Sequence, residues 1–420
     1  MRRLVFLLFV CLLALGAGRA AAAPAPYDGE ASRSSVFRLL PALPFPLGFD
    51  LSTLGVSDAE LATVGLVGAG TTSAGDGPNM RTVDDDGADC PNAAYTSIQA
   101  AVAASGPGDR VKVCPGVYRE QVTISSGQNG LVLFSQVPRA AVIKAPLVML
   151  DPGDIVRVNG AENVGIRHFT ISGPLPDHLF CSLFVRTGVR VDGGGSAKVW
   201  GNHITEIRSM SPLLRGCQNG IAVMAGRQFE GQIGSIELSH NLIDEYQKGG
   251  VLVDNAGSYG GIDHNEIVGP GSQMVIAPNG IQISRGAAAD VSHNAVSLNQ
   301  FALASFNGTA VLLFQPGVGL VAVDHNDVFL NDDGISLFDT DGAEIGFNRP
   351  HDQTRFDGIF ADADSRENVI EHNMAFDNVE HDCHDDSVGP RTAGTANFWI
   401  KNFGNTENRP GLCRTKPANL

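Results

Sequence analysis

Ser235-Ile236-Glu237-Leu238-Ser239-His240-Asn241 and, later, Asp290-Val291-Ser292-His293-Asn294 are two statements of one pattern. Apolar and polar residues alternate in each, and the run stops at His-Asn. Alternation of period two marks a strand with one buried face, and asparagine suits the tight turn that ends it. The asparagine returns at Asn202, Asn241, Asn265, Asn294, Asn326, Asn348, Asn373 and Asn402, mostly 22 to 32 residues apart with a first gap of 39. A second phrase, glycine before a branched apolar residue, occurs at Gly220-Ile221, Gly250-Val251, Gly280-Ile281, Gly334-Ile335 and Gly358-Ile359, with Ala310-Val311 filling the long gap.

A unit of that length made of short strands and turns does not fit a helical or leucine-rich solenoid. It fits one coil of a parallel β-helix, each coil burying an apolar stack against its neighbours. Coils should lie ~4.8 Å apart, with loops of variable length leaving fixed corners. At one tight turn per coil, amide side chains can bond to the next amide in a ladder. Upstream, Thr96-Ser97-Ile98-Gln99 reads as a capping box with Thr96 as N-cap and Gln99 as its partner. Ile98, Ala101 and Val102 then form one apolar helical face, which suits a lid over the open end of the coil. The expectation is an all-β solenoid of roughly ten to twelve coils with a short N-terminal capping helix.

The ends carry different signals. Arg2-Arg3, the apolar run Leu4–Leu15 and Ala20–Ala23 form a secretory signal over residues 1–23. The run is shorter than the ~20 residues a membrane span needs, and no later segment offers a span. Residues 24–78 are rich in Pro, Ala and Gly, with Pro41, Pro44 and Pro46 precluding a regular element, and read as a leader or linker. Residues 79–420 form the β-helix domain. The mature chain is expected to be secreted or held at the cell surface.

Export gives meaning to the six cysteines that remain. Neighbour pairing is the economical choice: Cys90–Cys114, Cys181–Cys217 and Cys383–Cys413. The alternative, free thiols or a metal cluster, lacks any C-x-x-C spacing. The net charge of −16 argues against nucleic acid, which wants a basic face, and against anionic membranes. The charge is uneven. Between Arg139 and Arg227 there are ten Lys/Arg against six Asp/Glu, whereas from Val321 to Asp386 there are eighteen Asp/Glu against three arginines.

Residues from about 81 to 413 resemble the pectate-lyase-like superfamily of right-handed parallel β-helices. The resemblance is carried by Tyr95-Thr96-Ser97-Ile98-Gln99-Ala100-Ala101-Val102, by Pro115-Gly116-Val117-Tyr118-Arg119-Glu120 and by the asparagine-based coils. It is specific for fold and unspecific for function. The superfamily spans pectate lyases, polygalacturonases, pectin methylesterases, alginate epimerases, phage tailspikes and a maturation protein of nitrous oxide reductase.

Candidate chemistry concentrates in the acidic coils. Asp339-Thr340-Asp341 and Asp362-Ala363-Asp364 follow equivalent strands, so their carboxylates should lie close and repel by ~4 kcal/mol per pair at 4 Å. Ca²⁺ would relieve this, making Asp339, Asp341, Asp362 and Asp364 the expected calcium ligands, with solvated loops as the alternative. Resemblance to pectate lyases implies Asp-bound Ca²⁺ with an arginine base, for which Asp333, Asp357, Asp339 and Asp362 with Arg355 or Arg349 are the candidates. Asn331-Asp332-Asp333-Gly334 resembles part of a polygalacturonase signature whose other segments are absent. Arg349-Pro350-His351-Asp352 resembles an epimerase motif, with Arg349 replacing its first acidic residue, so His351 joins the catalytic candidates.

The histidines preceding ladder asparagines (His240, His264, His293, His325 and His372) read as a structural turn preference. His381-Asp382-Cys383-His384-Asp385-Asp386, despite its metal-ligand residue types, reads as part of a C-terminal cap with Trp399 closing the core. The leading functional expectation is an extracellular protein that binds or modifies an acidic polysaccharide, by calcium-assisted lyase or epimerase chemistry if it is an enzyme. The alternatives are a non-catalytic surface protein and a periplasmic metallo-accessory protein.

Overall fold

A computed structural model describes residues 79–177, 181, 185–303 and 306–415. The signal and leader assignments therefore lie outside the described residues. Three long sheets account for nearly all the regular structure, with twelve, nine and ten strands. We name them A, B and C in the order in which the chain visits them within each coil. Within each sheet every strand but the two at its ends pairs in parallel with its equivalent one coil earlier and one coil later, as in Ser235–Ser239 between Ser196–Trp200 and Tyr259–Asp263.

This register turns sequence repeats into columns of stacked side chains. Ala197, Ile236, Gly260, Ala289 and Val321 form one inward column of sheet A. A single apolar core runs the length of the coil, with residues such as Val191, Ile236, Val291 and Ile345 essentially inaccessible to solvent. Each fully buried Val, Leu or Ile side chain contributes about 1.5–3 kcal/mol.

The turn from sheet A to sheet B is the tight one, and the expected amide ladder runs through it without a break. Nδ2 of Asn202 donates to Oδ1 of Asn241, and the same link continues through Asn265, Asn294, Asn326, Asn348 and Asn373 to Asn402, all at 2.9–3.1 Å. Each Oδ1 also accepts the backbone N–H of the preceding asparagine, as for Asn265 and Asn294 at 3.0 Å.

The residue before each central asparagine adopts left-handed backbone, with φ of 57° at His240, 54° at His264, 56° at His293 and 54° at His325. Such a φ is uncommon for residues other than glycine. It lets the chain reverse direction within one residue while the amide stays buried. The imidazoles stack face to face outside the turn, 4.8–5.1 Å apart from His240 to His325, and Phe347 continues the pile to His372. The structural reading of these histidines holds.

The one α-helix among the described residues, Ile98–Ala103, buries Ile98, Ala101 and Val102 as expected. Its cap differs from the sequence reading. Ser97, not Thr96, is the N-cap, and the first amides are taken by Glu120 of the first coil, which accepts from Ile98 and Gln99 at 2.8 Å. Gln99 does not reach back to the cap. Its amide pairs with the backbone of Thr123, because a carboxylate already occupies the helix end and is favoured there by the helix dipole.

All three neighbour disulfides form: Cys90–Cys114, Cys181–Cys217 and Cys383–Cys413. Trp399 is buried, and its indole N–H donates to Asp385 at 2.7 Å. Among the described residues no helix is long and apolar enough to cross a membrane.

Substituting Asn294→Ala strands the amide of Asn265 and the carbonyl of Ile262, both buried partners of its side chain. Unsatisfied groups of this kind cost about 1–3 kcal/mol each, so thermal or denaturant unfolding should register a loss of about 3 kcal/mol or more. His293→Ala, on the same turn but exposed, should change stability by less than about 1 kcal/mol.

Candidate functional site

The central strands of sheet C are buried on both faces. Val189, Val191, Val223 and Val251 point into the central core, whereas Met224 and Leu252, and then Leu312, Phe338 and Phe360, form two separate clusters on the outer face. The strand pairing aligns Arg157, Arg190, Met224, Leu252, Gln282, Leu312, Ser336, Phe360 and His384 in one outer row. The row begins with cations, passes over apolar side chains and ends at a histidine. The cations are already matched. Arg157 pairs with Asp192 at 2.7 Å, and Arg190 is fully buried between Asp192 and Glu230.

The uncommitted chemistry lies at the C-terminal end. A second ladder, not anticipated from the sequence, builds it. At the turn from sheet B to sheet C, Asn299, Asn331, Gln353 and Asn378 link side chain to side chain or side chain to backbone, and Asp382 closes the series by accepting from Asn378 at 2.8 Å. This ladder fixes the chain just before each of three successive sheet C strands. It thereby stacks Asp333, Asp357 and His381 at equivalent positions.

Asp333 is buried; one oxygen accepts from Ser336 and Asn307 at 2.8 Å, and the other, Oδ1, has no partner. Burial, reinforced by the charge of Asp357 one coil on, pushes its carboxyl up to about 7. Asp357 is also buried but well served. Oδ1 accepts the backbone N–H of His381 at 3.0 Å and faces its Nδ1 at 3.3 Å, while Oδ2 faces Nδ1 of His384 at 2.9 Å. The other nitrogen of His384, Nε2, lies 3.1 Å from Asp386. Burial acts to lower the pKa of His384, but the hydrogen bond and charge of Asp357, followed by Asp386, outweigh it and raise the value to about 9.

Two of the four expected catalytic residues, Asp333 and Asp357, are thus brought together. The other two are not with them. Arg355 donates to the carbonyls of Phe301, Leu303 and Phe306, lies 3.7 Å from Asp332 and covers the ring of Phe356. Asp332 in turn accepts from the amides of Phe301 and Gly308, so Arg355 and Asp332 clamp one loop between them. His351 sits on sheet B between the rings of Phe329 and Phe376 and bonds to Asp352 and Asp327. Arg349 lies over Phe376.

The calcium candidates lie at the opposite edge of sheet C, roughly 20 Å from Asp333 at ~3.3 Å per residue along its strand. Asp362 accepts the backbone amides of Asp339, Asp364 and Ser365, Asp341 accepts from Arg366, and Asp339 accepts from Gln315. Turn closure accounts for these contacts.

Within 381–386 the cap reading holds for three residues and misses the others. Asp382, Cys383 and Asp385 are structural, through the ladder, the disulfide and Trp399. His381 and His384 turn outward to Asp357. A signal for this existed: Asp333-Gly334-Ile335, Asp357-Gly358-Ile359 and His381-Asp382-Cys383 are spaced by 24 residues twice, so the histidine continues the aspartate column.

No protein-family model matches the chain, and a search of curated proteins finds no relative. Solved structures do match. A protein named XylC, solved with xylose, is 10% identical, covering 77% of this chain and 71% of its own, with a TM-score of 0.51. The mannuronan C-5 epimerase A-module AlgE6 from Azotobacter vinelandii is 14% identical over 77% of this chain and 95% of its own, with a TM-score of 0.40. The pectin methylesterase from Aspergillus niger is 12% identical over 84% and 94%, with a TM-score of 0.34. The fold is that of a right-handed parallel β-helix.

If Arg355 serves as the loop clamp its contacts describe, Arg355→Lys should lower stability by about 1–3 kcal/mol, since a lysine cannot reproduce the planar fork. Limited proteolysis between Phe301 and Gly308 should accelerate. Unchanged stability and cleavage would return Arg355 to the list of reacting groups.

Proposed function

We propose that this protein is exported and binds and modifies an acidic polysaccharide at the C-terminal end of the outer face of sheet C, where His381 and His384 are part-exposed, with Asp333 and Asp357 as the acid–base pair. The carrying observation is the contrast between two carboxyls on adjacent coils. Asp357 has both oxygens held by histidines, whereas Asp333 is buried with one oxygen tied down and the other without a partner.

Carboxyl pairs in opposed environments divide the work of proton donor and proton acceptor. Such a pair serves several reactions of a uronate polymer: protonation of a glycosidic oxygen, removal of the proton beside the uronate carboxyl, or its return on the other face. A long coil suits a long polymer, since each coil advances the surface by ~4.8 Å. Three disulfides support an oxidising compartment, in keeping with the signal-like residues 1–23. The matched solved proteins include a pectin methylesterase and a mannuronan epimerase; the likeness to them supports the fold, and the site is argued from its own residues.

The test uses purified protein on a panel of polyuronates and their methyl esters, with and without added calcium. Three signals are followed: absorbance of unsaturated uronate for a lyase, new reducing ends for a hydrolase, and NMR of the sugar ring for epimerisation or ester loss. One polymer should give one signal, and Asp333→Asn and Asp357→Asn should each lower its rate by about 10²-fold or more. The calcium arm tests the ion expected at Asp339, Asp341, Asp362 and Asp364. Binding without any turnover would overturn the catalytic part, and neither binding nor turnover would overturn the whole.

A further inference from the structure

The same corner of sheet C carries a three-residue donor set, of which the acid–base reading uses only Asp357. A carboxylate oxygen of Asp357 and one ring nitrogen each of His381 and His384 lie within 4.8 Å of one another. We propose that Asp357, His381 and His384 form a binding site for one divalent transition-metal ion of the zinc type. The inference stands on the geometry of these three residues and does not depend on the polysaccharide reading.

Four features support an ion here. The donors are of the right kind: imidazole and carboxylate suit zinc, cobalt, nickel and iron, whereas calcium prefers oxygen ligands alone. The spacing is right as well. Ligands ~2.0–2.1 Å from a tetrahedral zinc stand about 3.3 Å apart, and the two imidazole nitrogens lie 2.9 and 3.3 Å from oxygens of Asp357. The two rings meet nearly edge to face, at 77° with centroids 4.9 Å apart, so their nitrogens approach the carboxylate from different directions.

The surroundings complete the arrangement. Metal-bound histidines usually donate the other ring nitrogen to a carboxylate that sets ring orientation, and Nε2 of His384 faces Asp386 at 3.1 Å. The ligands are also held in place. His381 is tied by its own backbone N–H to Asp357, and His384 follows Cys383, which is bonded to Cys413 and is no thiolate ligand. Three protein ligands leave positions open for water or a sugar oxygen. The partnerless Oδ1 of Asp333, one coil before, supplies a buried acceptor for such a group.

One competing location for a transition metal is the stack of His240, His264, His293 and His325; the trio Asp84, Asp86 and Asp89 offers oxygen donors alone, which zinc-type ions do not favour. In the stack the rings lie parallel within 1–4° of one another. Parallel rings direct their in-plane lone pairs along parallel lines, so the stack does not converge on a point.

The experiment is calorimetric titration of the full chain, freed of metal with a chelator and dialysed, using Zn²⁺, Co²⁺ and Ca²⁺ in turn. One Zn²⁺ per chain should bind, Ca²⁺ should not compete for it, and saturating Zn²⁺ should raise the melting temperature. The double variant His381→Ala/His384→Ala should weaken binding at least 100-fold, and Asp386→Asn, which leaves every ligand in place, by about 10- to 100-fold. The visible bands of bound Co²⁺ should be lost in the double variant, while circular dichroism shows that it remains folded. His264→Ala/His293→Ala should bind as the parent does. Absence of stoichiometric Zn²⁺ or Co²⁺ binding, or binding that survives the double variant or disappears with the stack variant, overturns the site. Turnover on polyuronates is scored separately and does not enter this outcome.

Discussion

A buried amide that must find partners in two directions governs this structure. At the turn from sheet A to sheet B each asparagine side chain accepts from the coil before and donates to the coil after, and Nδ2 also takes a carbonyl within the turn, as Asn294 does with Ser292 at 3.0 Å. A hydrogen bond adds only about 1 kcal/mol net, whereas an unmade one in the interior costs the desolvation of its group. The ladder therefore acts mainly by exclusion. A coil out of register by one residue would present buried amides with nothing to bond and turn its apolar column outward. Register follows, and with it the alignment of every outer row.

The candidate site is a consequence of the same device used a second time. The amides at Asn299, Asn331, Gln353 and Asn378 fix the entry to sheet C, so residues two to four places after the last three fall into columns. A column is indifferent to what it stacks. It brings the like charges of Asp333 and Asp357 onto neighbouring coils as readily as it brings valine over valine. The electrostatic cost is met by unequal treatment of the two groups: Asp357 receives two imidazoles, and Asp333 is pushed toward its neutral form by burial and by its neighbour. The ladder that stabilises the coil is also what allows two carboxyls to stand so close.

Legibility followed periodicity. The sheet A alternation, the eight asparagines, the neighbour disulfides and the buried Trp399 could all be read because each depends on spacing alone. The second ladder was hidden by composition, since one of its rungs is Gln353 and its last is Asp382, and a search for a recurring asparagine passes over both. The helix cap was misplaced by one residue because the deciding partner, Glu120, comes from the first coil and not from the local sequence. Arg355 and His351 resembled reacting groups by residue type. Their contacts, three carbonyls and Asp332 for one, two aromatic rings and two aspartates for the other, are made by residues 22 to 54 positions away, the adjacent Asp352 excepted. No short motif records such distances.

The histidines make the general point most sharply. Two groups of them look alike in the sequence, each next to Asn or Asp, yet their environments diverge. Those before the ladder asparagines share the turn's left-handed backbone, which points successive rings the same way, exposed and parallel. His381 and His384 enter from two positions of a single strand region, three residues apart, and so approach Asp357 from two sides. Convergence requires donors from different backbone positions, and strict repetition prevents it. The end of the repeat is one place where a solenoid supplies such positions. Here that place is the last sheet C strand among the described residues, Cys383–Asp385, which is followed only by an isolated bridge from Cys383 to Glu407, and it is where the buried carboxyls and the outward imidazoles meet.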